Sequence, residues 1–432
     1  MAPTRLRFRL FSPKQTIQPP VPYDPPRQPN RQQLLLGILY WQYFFTPPGG
    51  WGNRRSYDLA RYWREQGTEV WVLAGGTYFP SPYPKQRAFR TAGVCIVWLP
   101  GPYHQKLCMP QRILSFGRFT LWSLYILWRL RHRRLYLLAT LPPPLLPWVA
   151  AFRFKLTRQP FSLEVYDAWP QVLSLRLPRF LYLPIAWLLQ WSYRQAEVLF
   201  ALSPDIARFL PPERTLLSFN GTRPALFYRR RIPSFLPFRV IYAGTFGWVN
   251  HVRFLLQVAK LLQAYRGIVF WLIGDGAERD RLEREAKELP SVRIFPPVPV
   301  EEMPCWLSEA HVGVSLVRPQ PILFSNSANK FYDYLANGLV VGLNYTGWQA
   351  AVLREAQCGF AAMAPERFAA GILRYYWDRA EWHRATERAR RWAEKHYDRR
   401  YIATQVLQAL HQRSPERRLH SEPRTKRNIT SS

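Results

Sequence analysis

Residues 324–341 read FSNSANKFYDYLANGLVV, with Asn326, Lys330, Asp333 and Asn337 at 4-3-4 spacing and Phe331, Tyr334 and Leu335 at i, i+3, i+4. Wound as a helix over about 327–336, the two sets fall on opposite sides. Ser325 or Ser327 is placed to cap its start and Asn337–Gly338 to end it. A lysine and an aspartate on the outer side allow two readings. One is a solvated face carrying a Lys330–Asp333 pair worth about a few tenths of a kcal/mol. In the other, the helix N-terminus and Lys330 meet a diphosphate while Asp333 accepts hydrogen bonds from a ribose.

Three loops bear glycines where a backbone could approach such a ligand. They are TPPGGWGNRRS (46–56) with Gly50 and Gly52, AGTFGWVN (243–250) with Gly244, Thr245 and Gly247, and GDGAERD (274–280) with Gly274 and Gly276. Tight strand-to-helix turns also use glycine, so a structural reading stands beside the functional one at each. Neither GTFG nor GDG completes G-x-G-x-x-G, which speaks against a dinucleotide site.

The elements that position these loops alternate between strand and helix patterns, as in parallel sheets with helices on both faces. In the first half, strands are expected over 33–40, 68–75, 93–100, 135–139, 161–166, 197–201 and 214–219, with a helix over about 53–66. A hinge is expected in YRRRIPSFLP (228–237). The second half restarts with strands at 238–244, 267–276, 291–298, 311–317, 339–344 and 358–363, and with helices over 252–265, 277–289 and about 349–356. Ala385, Ala389, Trp392 and His396 mark one face of a long closing helix.

The expected division is a basic arm at 1–32, a first domain at 33–232, a second at 233–380, a crossover helix at 381–410 and a basic tail at 411–432. Arm and tail lack periodicity and are expected to be disordered. The fold class is therefore α/β, with two doubly wound domains facing a cleft and ligands outside the carboxyl ends of the strands.

The 60 basic and 28 acidic residues give a formal charge of +32, which favours anionic partners: nucleic acid, an anionic membrane or phosphorylated substrates. Cys95, Cys108, Cys305 and Cys358 form no C-x-x-C pair and the eight histidines no H-x-x-x-H, so no metal site is expected. The cysteine usage fits a reducing compartment. No secretory signal and no membrane-spanning run are evident. FTLWSLYILW (119–128), followed by RLRHRR, and FLYLPIAWLLQW (180–191) read as core helices or as interfacial ones.

The second half resembles the donor-binding domain of retaining GT-B glycosyltransferases of family 4. VIYAGTFG, WLIGDGAERDRLE, SANKFYDYLANGLVV and NYTGWQAAVLREAQCGFAA carry the likeness, and ERARRWAEKHYDRRYIATQVLQAL resembles the helices that cross back to the first domain. PPGGWGNRRSYDLARYWREQGTEVWVLAG resembles the acceptor-side glycine loop and first helix, while FSLEVYDAWPQ and WSYRQAEVLFALSPDI resemble the fucosamine-transferase-like subgroup.

The resemblance implies a retaining, metal-independent transferase with a nucleoside-diphosphate sugar of UDP type as donor substrate and no cofactor. The implied donor contacts are Gly244, Thr245, Gly247, Gly274, Gly276, Ser325, Asn326, Asn329, Lys330 and Asp333, with Gly50 and Gly52 opposite. Asp167, in YDAWPQ, is either a cleft carboxylate beside the transferred sugar or acceptor hydroxyl, or a strand-end turn cap. Asp167 and Lys330 are the implied catalytic residues. The sequence departs from the family at Ser325, where a glutamate is usual, and at Trp248 and His251, near the places of a diphosphate-binding Arg and Lys.

The implied acceptor is a saccharide or lipid-linked saccharide for cell-surface polysaccharide or glycoconjugate synthesis, reached from the cytoplasmic side of an anionic membrane. A non-catalytic sugar-nucleotide binder is one rival reading. A nucleic-acid-binding protein is another, but the arginines are dispersed and no nucleic-acid-binding motif is present, so no nucleic-acid partner is expected.

Overall fold

The computed structural model describes residues 37–413, apart from 47, 49, 51, 77–87, 102–106, 176, 230 and 231. The arm expected at 1–32 and most of the tail lie outside them.

The first sheet contains β1 (Gly37–Trp41), β2 (Val70–Ala74), β3 (Ala88–Thr91), β4 (Val94–Trp98), β5 (Leu135–Leu141), β6 (Phe161–Val165), β7 (Leu199–Ala201) and β8 (Thr215–Leu217). Their order is β3-β4-β2-β1-β5-β6-β7-β8, and only the β3–β4 pair is antiparallel. Around it run α1 (Arg55–Glu65), α2 (Met109–Arg129), α3 (Leu145–Thr157), α4 (Arg179–Gln195) and the short α5 (Pro204–Ala207). β1, GILYW, is buried at every position, as a central strand covered on both faces must be.

The second sheet is wholly parallel, in the order β11-β10-β9-β12-β13-β14. Its strands are β9 (Phe238–Ala243), β10 (Ile268–Ile273), β11 (Val292–Phe295), β12 (Val312–Ser315), β13 (Val340–Leu343) and β14 (Gly359–Ala361). Its helices are α6 (Arg253–Leu261), α7 (Arg279–Ala286), α8 (Met303–Ser308), α9 (Asn329–Ala336), α10 (Trp348–Ala356) and α11 (Pro365–Trp377). In each sheet the chain winds outward one way and then returns past the first strand. The reversal falls between β1 and β5, and again between β9 and β12, and such a switch opens a crevice at the strand ends.

Two helices close the chain, α12 (Arg379–His396) and α13 (Arg399–Gln412). The domain division expected one crossover helix over 381–410, whereas the family likeness implied closing helices of which the last crosses back, as α13 does. The break lies at Asp398, whose carboxylate accepts from the Arg400 amide at 2.8 Å and starts a new helix. α13 crosses back to the first domain, where Ala403, Val406, Leu407 and Leu410 join the core of β1, β2 and α1. Trp63 Nε1 donates to the Ala403 carbonyl at 2.9 Å, and Arg399 pairs with Asp58 at 2.8 Å with both side chains buried. The edge strand β3 was not anticipated; it pairs only with β4 and its side chains are half or fully exposed, so it lacks a core-facing pattern.

Candidate active site

The two switch points border a cleft of about 440 Å³. The first domain supplies Gly52, Asn53 and Arg54 beyond β1, Asp167 beyond β6 and Asn220 beyond β8. The second supplies Ala243, Gly244 and Thr245 at the end of β9, Gly274 after β10, Pro297, Val298 and Val300 after β11, and the start of α9. Arg399, at the start of α13, lies between the two walls.

On α9, Phe331, Tyr334 and Leu335 are buried, whereas Lys330 and Asp333 are half-buried and line the cleft. The two do not form the salt bridge that a solvated face would carry, since each has its own surroundings. Lys330 Nζ lies 3.9 Å above the Tyr242 ring, and it pairs with no carboxylate among the described residues. Burial lowers its pKa to about 7. A cation held in this way is favoured by any anion that reaches it.

Tyr242 is fixed by its own hydroxyl, which donates to the Thr245 carbonyl at 2.8 Å, and the Tyr334 hydroxyl accepts from the Ala243 amide at 2.8 Å. Gly244 has φ 150°, and a Cβ there would stand 2.7 Å from Lys330 Nζ. Gly244→Ala is therefore expected to push the ammonium out of place and weaken anion binding about tenfold, while stability falls by only about 1 kcal/mol. A melting curve with and without nucleotide separates the two effects.

Asp333 accepts from the Thr222 hydroxyl at 2.7 Å, so the first domain's last loop touches α9 directly. Burial raises its carboxyl to about 6 against the opposing pull of Arg399, the Thr222 hydrogen bond and Arg223. Arg399 donates to Asn329 Oδ1 at 3.2 Å and to the Asn220 carbonyl at 3.1 Å, so one side chain ties α1, α9 and the cleft edge together. Asp58 is shared between Arg399 and Arg223, the latter at 3.3 Å.

Asp167 stands on the opposite wall. The residue is exposed, and what desolvation its surroundings impose raises its carboxyl above the ordinary range, against the pull of the Trp169 hydrogen bond. Arg54, almost wholly buried, contacts Glu301 of the second domain across the cleft mouth. Its pKa is lowered by burial and then by the neighbouring Arg223.

Of the residues singled out by sequence, the fold brings Gly52, Asp167, Gly244, Thr245, Gly274, Asn329, Lys330 and Asp333 to one cleft. Gly50, Gly247, Gly276, Ser325 and Asn326 are not among its lining residues. Gly276 has a packing role, because a Cβ would come within 2.4 Å of the Phe246 carbonyl oxygen. Gly247 precedes a 3-10 turn over Trp248–Asn250. Ser325 donates to the Ile322 carbonyl at 2.6 Å, and Asn326 donates to the Leu323 carbonyl at 3.0 Å.

Neither Ser325 nor Ser327 caps α9, contrary to expectation. The N-cap is Ala328, and the Ser327 hydroxyl instead meets that of Tyr332 at 2.6 Å. Asn337 is fully buried rather than outward, and Gly338 ends the helix with φ 70° as expected. Trp248 and His251 do not line the cleft, but Asn250 between them does. Sequence reasoning missed Asn53, Arg54, Asn220 and Arg399. Arg54 lay inside the quoted glycine loop, and Arg399 inside the quoted closing helix. Asn53 was in that loop too, and Asn220 just past an expected strand, with no periodic signal to mark either.

Residues 52–215 match the glycosyl transferase 4-like domain and residues 237–378 the glycosyl transferases group 1 domain, one for each side of the cleft. Each half of the chain thus matches a glycosyltransferase model, and the fold is that of the GT-B glycosyltransferases. No curated protein sequence matches it significantly. Among solved structures, the sucrose-phosphate synthase of Thermosynechococcus elongatus is similar with TM-score 0.67 at 16% identity, covering 87% of this chain and 98% of that one. HepE of Anabaena, in complex with UDP-glucose, is similar with TM-score 0.64 at 14% identity, covering 87% and 99%. WaaG, a glycosyltransferase of lipopolysaccharide biosynthesis, gives TM-score 0.63 at 15% identity, covering 85% and 99%. At these identities the likeness is one of fold. Lys330 and Asp333 stand on one wall of the cleft and Asp167 on the other.

Proposed function

We propose that the protein transfers a sugar from a UDP-type donor to a saccharide or lipid-linked saccharide, with retention and without a metal. The observation that carries this reading is Lys330: an ammonium without a carboxylate partner among the described residues, lining the cleft at the start of α9 beside Gly244. Loss of a diphosphate needs charge stabilisation where the leaving oxygens develop, and Lys330 together with the first amides of α9 supplies it. Asp333, held by Thr222, accepts from the ribose hydroxyls. The acceptor hydroxyl attacks from the face the diphosphate leaves, and Asp167 lies on the acceptor wall, where its carboxylate can take the proton. Closing of the two domains on the donor would exclude water, which otherwise competes by hydrolysis.

UDP is favoured because HepE of Anabaena has been solved with UDP and with UDP-glucose. The likeness of FSLEVYDAWPQ to the fucosamine-type subgroup makes an amino sugar a candidate alongside a hexose. The charge of +32 and the apolar helices support an acceptor at the cytoplasmic face of an anionic membrane, for cell-surface polysaccharide or glycoconjugate synthesis. The test is turnover of UDP-hexoses and UDP-amino sugars with lipid extracts in chelator, the anomeric configuration of the product being read by NMR. An axial product from an axial donor supports the reading; an inverted product, or turnover only with added metal, contradicts it.

The turned-away hydroxyl of Ser325 favours a second reading, a non-catalytic sugar-nucleotide binder. Such a protein would bind UDP and turn over no donor in the same assay.

A further inference from the structure

We infer that the outer face of α2, α3 and α4 is the surface on which this protein seats itself in an anionic lipid bilayer, with its acceptor wall towards the lipid. The inference deepens the reading of a lipid-linked acceptor and rests on it only for that orientation.

Seven large apolar side chains of α2, two of α3 and four of α4 are exposed, thirteen of the 23 such residues among those described. α2 packs on α3 and α3 on α4, so these residues share one side of the first domain. Trp122, Trp128, Leu156, Phe180 and Trp187 are 44%, 56%, 86%, 72% and 70% exposed. Soluble surfaces rarely gather this much apolar area in one place without something to cover it. No helix among the described residues is long and apolar enough to cross a membrane, so the face lies on a bilayer rather than spanning it.

Charge decides what covers it. From Val70 to Leu163 the sequence has no Asp or Glu, and α4 has none either. Arg112, Arg118 and Arg129 lie on α2, Lys155 on α3, and Arg179 and Arg194 on α4. Arg131 lies 4.3 Å over the Trp128 ring, an amphipathic pair suited to the headgroup layer. An apolar face on helices that carry basic residues and no acidic ones complements anionic lipid. A second copy of the same face would bring like charges together.

The orientation follows from connectivity. α4 follows β6 through the loop that holds Asp167 and a short turn at Gln171–Leu175, so its N-terminal half lies at the end of the sheet that bears the cleft. Phe180, Leu181, Leu183 and Trp187 are the exposed apolar residues of that half. A lipid anchored there presents its head to the acceptor wall.

The test is flotation of the full chain with vesicles of phosphatidylglycerol and phosphatidylcholine, or of phosphatidylcholine alone, for the wild type and for Trp122→Glu/Trp128→Glu/Trp187→Glu. The wild type is expected to float with the anionic vesicles, less so at high salt, and the triple variant to fall about tenfold or more. Both are expected to show the same thermal shift with UDP, which also shows that the variant folds. The inference is overturned by equal flotation of wild type and variant, by binding indifferent to lipid charge, or by a wild type that stays with the soluble fraction and self-associates through this face. Loss of the UDP shift in the wild type would instead sink the transferase reading and leave the flotation result standing.

Discussion

Lys330→Ala is expected to lower transfer by about two to three orders of magnitude, the scale seen when a preorganised charge is removed from a leaving group. The fold tolerates the change, because Lys330 is half-buried at the edge of the cleft and forms no ion pair among the described residues. Its pKa of about 7 gives the prediction a pH signature. Above pH 7 the empty cleft loses its ammonium, so UDP affinity of the wild type falls as pH rises from 7 to 9, while the variant binds weakly throughout. Stability moves the other way. Burial holds the folded-state pKa below the ordinary 10.5, so between pH 7 and 10.5 the unfolded chain binds the proton that the folded chain has released. The wild type therefore gains stability relative to Lys330→Ala as pH rises through that window. Calorimetric UDP titrations and paired melts at pH 6, 8 and 10 check both trends.

Asp333→Asn separates binding from stability even more directly. The carboxylate is a charge-assisted acceptor, and its loss is expected to weaken UDP about tenfold to a hundredfold, in line with about 1.5–3 kcal/mol for such a bond. Burial, only partly offset by Arg399, Thr222 and Arg223, holds the carboxyl at about 6, above its ordinary 3.8. A folded state that holds its proton more tightly is favoured below pH 3.8 and loses that advantage as pH rises through 6. At pH 7 the empty Asp333→Asn protein is thus expected to melt no lower than the wild type, and its advantage should vanish near pH 4. A variant that lost stability and kept its UDP affinity would make Asp333 a structural residue.

The site was legible in sequence where periodicity and loop chemistry spoke together. Phe331, Tyr334 and Leu335 had to face a core, which left Lys330 and Asp333 to the other side, and the fold turned that side towards a cleft. Gly244 and Gly274 were visible because a positive φ at a strand end calls for glycine. Asn337 was misplaced outward because spacing alone cannot tell a solvated asparagine from one enclosed beneath α12. Ser325 and Ser327 looked like caps, but tertiary partners took their hydroxyls. Arg399 was beyond reach for a different reason: its partner Asp58 lies 341 positions away, and no local pattern records such a pairing. Likewise the apolar runs in α2 and α4 read first as core helices, until the packing showed which of their faces remained uncovered.

The most direct test of the account is calorimetric titration of UDP into the wild type, Lys330→Ala and Asp333→Ala proteins at pH 7 in chelator. Metal-free binding of UDP by the wild type and clear weakening in both variants are expected. Binding of equal strength in all three proteins, or no binding by the wild type, would contradict it, because the start of α9 would then not be the donor site.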